Sequence, residues 1–217
     1  MKQKISSDFK LGILGGGQLG KMMIQAASKW DIEIHVLDPD ESCSCSALCH
    51  QFHHGSFKNY NDVLEFGRKV DILTFEIEHI NIEALKVLEK DGIKTYPQPE
   101  ALEIIQDKGI QKQFYSRHNI PTASFRSFDK LSFDKGVEFI NQNTPPYVLK
   151  ADGPAAGKGV VIVDNVEEAI KNLEDMLLNS KFGKSSEKVV IEEFLKGIEM
   201  SCFVIFDGLN YIILPYA

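Results

Sequence analysis

Between Tyr147 and Val163 the chain reads YVLKADGPAAGKGVVIV, two runs of Tyr, Val, Leu and Ile joined by a segment holding Gly153, Gly157 and Gly159. Such a stretch admits strand, turn and strand and little else, because those side chains suit a pleated, half-buried surface. Glycine lets backbone N–H groups close on an anion with no Cβ in the way. Lys150 before the turn and Lys158 within it add mobile charges suited to phosphate oxygens. The stretch predicts a polyphosphate-binding hairpin loop; the plain alternative is a flexible glycine hairpin with solvated lysines. It is not a Walker A loop, since no Ser or Thr follows Lys158 and a strand pattern, not a helical one, comes next.

The front of the chain predicts a different unit. LGILGGGQLG reads as a strand from Leu11 to Leu14 and then a glycine turn. KMMIQAASKW continues as a helix, and EIHVLD as a second strand ending at Asp38. Glycines followed at this distance by an acid match the dinucleotide fingerprint, so an NAD-dependent oxidoreductase is one reading. The other is that any tight parallel α/β turn needs such glycines. VDILTFEIEHI predicts a buried strand that ends in Glu76, Glu78 and His79. Acids there lie where parallel sheets bind ligands, or are exposed loop acids. Pro97 and Pro99 break the pattern, which divides the chain into an N-terminal parallel-sheet domain, residues 1–97, and a second region, residues 98–217.

The second region predicts one helix over 100–119, with Lys108 and Lys112 on the same face and read as solvated. In KVVIEEFLKGIEMSC, Glu192, Glu193 and Glu199 cluster around Phe194 and Leu195. An acid there suits a ribose hydroxyl, and the intervening backbone suits an adenine edge.

A net charge of −7 argues against nucleic-acid and anionic-membrane partners. No apolar run reaches the length of a membrane span, and the polar start lacks the apolar core of a signal peptide, so a cytoplasmic location is expected. Cys43, Cys45, Cys49 and Cys202 are then free thiols. The spacing of the first three, beside His50, His53 and His54, is not a usual zinc knuckle and reads as a loop.

Taken together, these residues resemble the ATP-grasp ligases of purine biosynthesis. GILGGGQLGKMM, TFEIEHI and IIQDKGIQKQFYSRHNIPTASF look like N5-carboxyaminoimidazole ribonucleotide synthetase, over residues 9–127. KADGPAAGKGVVIV, VVIEEFLKGIEMS and DGLNYIILP look instead like phosphoribosylamine–glycine ligase, over 145–217. Ala155 and Ala156 stand where the synthetase has a Tyr-Asp pair. The resemblance implies a Rossmann-like parallel-sheet domain followed by an ATP-grasp domain. It implies ATP and Mg2+, with Lys108 and Lys150 gripping the phosphates under a mobile loop, Gly153 to Gly159, that carries Lys158 as its catalytic residue. It implies an adenine hinge of Glu192, Glu193, Phe194 and Leu195, and Glu199 on the ribose. Gly17, Gln18, Leu19 and Glu76 become acceptor-side contacts. The implied substrates are aminoimidazole ribonucleotide and bicarbonate, with glycine ligation to phosphoribosylamine as the alternative; a homodimer is compatible with the family. Magnesium ligands are expected on strands beyond Tyr211, so the resemblance implies an incomplete ATP-grasp region with no metal ligands. The third reading is accordingly an ATP-binding fragment without turnover.

Overall fold

The computed structural model describes residues 7–75, 77–152, 159–183 and 187–216. Strands β1 (Lys10–Leu14), β2 (Glu33–Asp38), β3 (Gln51–His54), β4 (Ile72–Phe75) and β5 (Lys94–Tyr96) form a sheet in the order β3-β2-β1-β4-β5. All its pairings are parallel. Adjacent residues along a strand point to opposite faces, and both faces are covered. Leu14, Leu37 and Leu73 pack with Val63 and Phe66 of α2 (Tyr60–Gly67) and Leu85 and Leu88 of α3 (Ile82–Lys90). Ile13, Ile34 and Val36 pack on the other side with Ile24 of α1 (Gln18–Ala27) and with Cys45. Asn59 and Asn81 start α2 and α3 by accepting from backbone amides of the first turn. The strand order reverses between β1 and β4, and the crevice at their carboxyl ends is the place where open parallel sheets hold ligands.

The predicted strands at β1, β2 and β4 are present. Strand β3 is a correction: Gln51–His54 falls in the stretch read as a loop, yet it pairs in parallel with β2 along the sheet edge. The helix expected over 100–119 is also corrected. It is two helices, α4 (Pro99–Gln106) and α5 (Lys108–Arg117), because Asp107 takes an extended conformation and its carboxylate accepts from Ile110 N at 2.7 Å. A residue that caps the second helix cannot continue the first.

A four-stranded antiparallel sheet follows, β6 (Phe125–Asp129), β7 (Tyr147–Ala151), β8 (Val160–Val163) and β9 (Lys188–Glu193), in the order β6-β9-β7-β8. Helices α6 (Phe133–Gln142) and α7 (Val166–Leu177) cover one face through Ile140, Ala169, Leu173 and Met176 against Leu149, Val189 and Ile191. Alternation places Val148, Lys150, Val190 and Glu192 on the opposite face. The two strands of the 147–163 reading are therefore present as β7 and β8, with Tyr147 opposite Val163, and the turn between them lies outside the described residues. A final hairpin, β10 (Val204–Phe206) and β11 (Tyr211–Ile213), turns at Asp207, whose carboxylate accepts from Leu209 N and Asn210 N.

Candidate active site

On the other face of the second sheet, Lys150 of β7 pairs across from Val190, and Glu192 of β9 across from Val148. The two are diagonal neighbours, within reach of long side chains. Lys150 Nζ lies 3.0 Å from Glu192 Oε2. The Nζ of Lys112, from α5, reaches the same oxygen at 2.9 Å and also donates to Thr122 Oγ1 at 2.7 Å. Glu192 and Lys112 are buried, whereas the side chain of Lys150 keeps 28% of its exposure. Glu192 Oε1 is buried with no hydrogen-bond partner among the described residues. Two cations against one carboxylate leave an excess positive charge on this face, which suits an anionic ligand.

Beside it, Asp152 follows β7 and ties the end of that strand to the start of α5. Its Oδ1 accepts from Lys108 N at 2.7 Å and from Gly109 N at 3.4 Å, while Oδ2 is buried without a partner among the described residues. Burial raises the Asp152 carboxyl above the ordinary carboxylate value, and the neighbouring Asp107 raises it further. A cavity of about 200 Å³ opens here, lined by Asp107, Gly109, Ser127, Asp129, Asp152 and Lys188.

The other residues singled out in the sequence are placed as follows. Gly159 is buried, and its carbonyl accepts from Ala151 N at 2.7 Å. Gly153, Gly157, Lys158 and Glu76 lie outside the described residues. Glu193 turns from the lysines, and its Oε1 accepts from Ser124 N at 2.9 Å. Phe194, Leu195 and Glu199 are exposed just beyond β9. Lys112 is a correction, since the solvated lysine of the sequence reading is a buried ion-pair partner. Its i, i+4 spacing from Lys108 was visible, but nothing local to α5 reveals the Glu192 it meets.

In the first sheet, Gly17 is the N-cap of α1, and nothing lies within 4 Å of where its Cβ would be. Gln18 and Leu19 are exposed at the same turn. The open amides of this helix start can receive an anion. Asp38 has another task than the fingerprint reading gives it. Its Oδ2 accepts from Gly16 N at 2.6 Å and its Oδ1 from Asp40 N at 2.8 Å. Buried under the glycine turn, it is committed to shaping that turn, which removes the acid on which a dinucleotide ribose would depend. A cleft of about 410 Å³ lies beyond β4, lined by Lys58, His79, Asn81 and Gln106 among others. Gln106 Nε2 fixes this loop by donating to Glu78 O at 2.6 Å and Ile80 O at 2.9 Å.

The cysteine and histidine stretch has separate structural tasks. Cys45 N donates to Gly16 O, and its Sγ lies 3.6 Å from Gly17 O. His50 Nδ1 accepts from Ile34 N at 3.0 Å, and His53 stacks on His35.

Residues 9–106 match the family model described as the ribonucleotide synthetase preATP-grasp domain. Residues 106–217 match the phosphoribosylglycinamide synthetase ATP-grasp (A) domain. The chain is 43% identical over 125 residues to a chloroplastic phosphoribosylaminoimidazole carboxylase of Vigna aconitifolia, covering 58% of this chain and 22% of that protein. It is 42% identical over 130 residues to a phosphoribosylamine–glycine ligase of Streptococcus suis, covering 59% of this chain and 30% of that protein. Among solved structures it resembles N5-carboxyaminoimidazole synthase of Aspergillus clavatus in complex with ADP and 5-aminoimidazole ribonucleotide. There the TM-score is 0.83 at 26% identity, over 97% of this chain and 53% of that one. The chain thus spans less than a third of these two curated relatives and about half of this solved structure.

Proposed function

We propose, since the chain belongs to the phosphoribosylglycinamide synthetase ATP-grasp (A) domain family, that its second sheet binds ATP and that it serves the ATP-dependent carboxylation of 5-aminoimidazole ribonucleotide by bicarbonate. The observation that carries the reading is Lys150, a partly exposed lysine near the end of β7 held by a buried carboxylate. The Aspergillus relative binding ADP and the imidazole ribonucleotide supports it. In this reading Lys108 and Lys150 neutralise the phosphates, and the segment from Gly153 to Gly159, with Lys158, lies over them. Glu192, Glu193, Phe194 and Leu195 border the adenine, and Glu199 the ribose. Gly17, Gln18, Leu19 and Glu76 meet the acceptor. Residues 1–97 supply the acceptor side and 98–217 the nucleotide side.

A bicarbonate oxygen attacks the γ-phosphorus of ATP, the bond to the β,γ-bridging oxygen breaks, and ADP leaves with that electron pair. The amine nitrogen then attacks the carboxyl carbon of carboxyphosphate, a proton leaves the nitrogen, and phosphate departs. Phosphoryl transfer asks the protein for positioning and charge neutralisation. A closed glycine segment would also keep water from a hydrolysable intermediate. For Mg2+, no group of three or more His, Cys, Asp or Glu side chains that could hold an ion occurs among the described residues. No step is routed through it.

The second reading is glycine ligation to phosphoribosylamine. It is favoured by Ala155 and Ala156 and by the glycinamide synthetase description of residues 106–217. ADP release with ATP and magnesium tests both. Release only with aminoimidazole ribonucleotide and bicarbonate supports the first reading. Release only with phosphoribosylamine and glycine transfers the assignment. Bound ATP with silence in both leaves the nucleotide-binding reading alone.

A further inference from the structure

Resting on the reading of Lys150 as a phosphate ligand, we infer that Lys112 is a positioning residue: it holds the Glu192 carboxylate neutralised, so that Lys150 can leave Glu192 for an incoming phosphate.

The two lysines share one oxygen, but their holds differ. Lys112 Nζ is 9% exposed by side chain and bonds both Glu192 Oε2 and Thr122 Oγ1. It also lies 5.6 Å from the centroid of the Phe125 ring, whose face attracts a cation. Among the described residues, Lys150 meets Glu192 alone, and it is three times as exposed. If one cation detaches, it is Lys150. Detaching one partner from a buried ion pair is strongly unfavourable when it strands the other charge. Here it strands nothing, because Lys112 stays on the same oxygen. Glu192 is thus a resting place for Lys150 that gives it up easily, and Lys112 makes that release cheap. Without Lys112, the buried carboxylate depends on Lys150 alone and competes with the phosphates for it.

The test uses two readouts on the folded chain, with circular dichroism as the check on folding. The first is the rate of Lys150 acetylation by a water-soluble acetyl ester, followed by mass spectrometry without nucleotide. The second is ADP affinity by calorimetry. Lys112→Met is expected to slow acetylation and weaken ADP binding, each by about tenfold, the factor that corresponds to a single strengthened contact. Adding Glu192→Gln to it is expected to restore acetylation and to recover ADP affinity in part, since Lys150 then has no charged competitor while the adenine border loses its carboxylate. A purely structural Lys112 would leave acetylation unchanged and make the double variant worse than the single, which overturns the inference. If Lys112→Met fails to fold, Lys112→Gln keeps a donor toward Thr122 and Glu192 without the charge, and the same two shifts are expected. ADP bound normally by folded Lys112→Met, with unaltered acetylation, overturns the inference and leaves the nucleotide reading standing. Acetylation that responds in a chain that binds no ADP supports the competition for Lys150 and overturns the nucleotide reading.

Discussion

The Asp152 carboxylate reaches back across the sequence to the start of α5, its Oδ1 2.7 Å from the amide nitrogen of Lys108. Asp107 converges on the same helix start. A Cβ added at Gly109 would sit 3.2 Å from both Asp107 Oδ1 and Asp152 Oδ2. Two carboxylates over one turn explain why burial, and then Asp107, raise the Asp152 carboxyl above 3.8. With the folded value raised, the folded chain holds the proton more tightly than the unfolded chain. The contribution of Asp152 to stability is therefore fully present below pH 3.8 and is lost as pH rises through the folded value. Asp152→Asn keeps the acceptor for Lys108 N and removes the charge. It is expected to be more stable than the parent at neutral pH, with the gap closing toward pH 3.8. Asp152→Ala removes the cap and should cost about 1 kcal/mol. Thermal melts of both variants across that range check the sign.

Two glycines of one turn should respond in opposite ways. A Cβ on Gly20 would lie 2.6 Å from the backbone oxygen of Gly15, which cannot move aside without opening the turn. Gly20→Ala is expected to cost about 2 kcal/mol or more, as overpacking against backbone does. At Gly17 an added Cβ meets nothing within 4 Å. Gly17→Ala should stay within roughly 0.5 kcal/mol of the parent. Urea unfolding of the pair, with a shared slope, measures the contrast.

How much of this was legible follows from where each signal resides. Short runs rich in Val, Ile, Leu and Tyr in Leu11–Leu14, Glu33–Asp38 and Tyr147–Val163 carry their own strand signal, so the strands they form could be read directly. Strand β3 could not, because Gln51–His54 is polar and lies on an exposed edge, where burial imposes no pattern. Asp107 carried the signature of a helix start, an acid ahead of the first turn, but it was hidden inside a longer helical pattern. Asp38 was legible as important but not in its task, since the spacing of glycines and acid is the same whether the acid faces a ribose or the Gly16 amide. Lys112 and Glu192 meet only through the fold. No spacing rule reaches from α5 to β9, so the centre of the candidate site was half visible, with Lys150 plain and its partners hidden.

The thiols should label in an order set by burial. Cys45 is fully buried beneath the glycine turn, and burial, with Cys43 and Cys49 beside it, pushes its thiol up to about 11. Cys202 is exposed. Since the thiolate is the reacting form, iodoacetamide at mildly alkaline pH is expected to modify Cys202 first and Cys45 last. Peptide mass spectrometry over a time course reads the order. Early modification of Cys45 would mean that the loop over the glycine turn opens in solution.

Gln106 provides the most direct test of the acceptor side proposed above. Its single amide group donates to both Glu78 O and Ile80 O, which fixes the loop after β4 from the end of α4. The backbone of that loop leads from the carboxyl end of β4 to the cap of α3, and His79 and Asn81 line the adjacent cleft. Removing the amide leaves two carbonyls to find water and lets the loop shift, while Lys150, Lys112 and Glu192 keep their contacts on the other sheet. A small displacement of a substrate-positioning loop costs affinity out of proportion to its size. Gln106→Ala is therefore expected to weaken aminoimidazole ribonucleotide binding by about tenfold, a change of about 1.4 kcal/mol, and to leave ADP affinity unchanged. Parallel calorimetric titrations with the two ligands measure it. Equal losses for both would mean that Gln106 supports the nucleotide side as well. No loss for either would separate the loop after β4 from the acceptor.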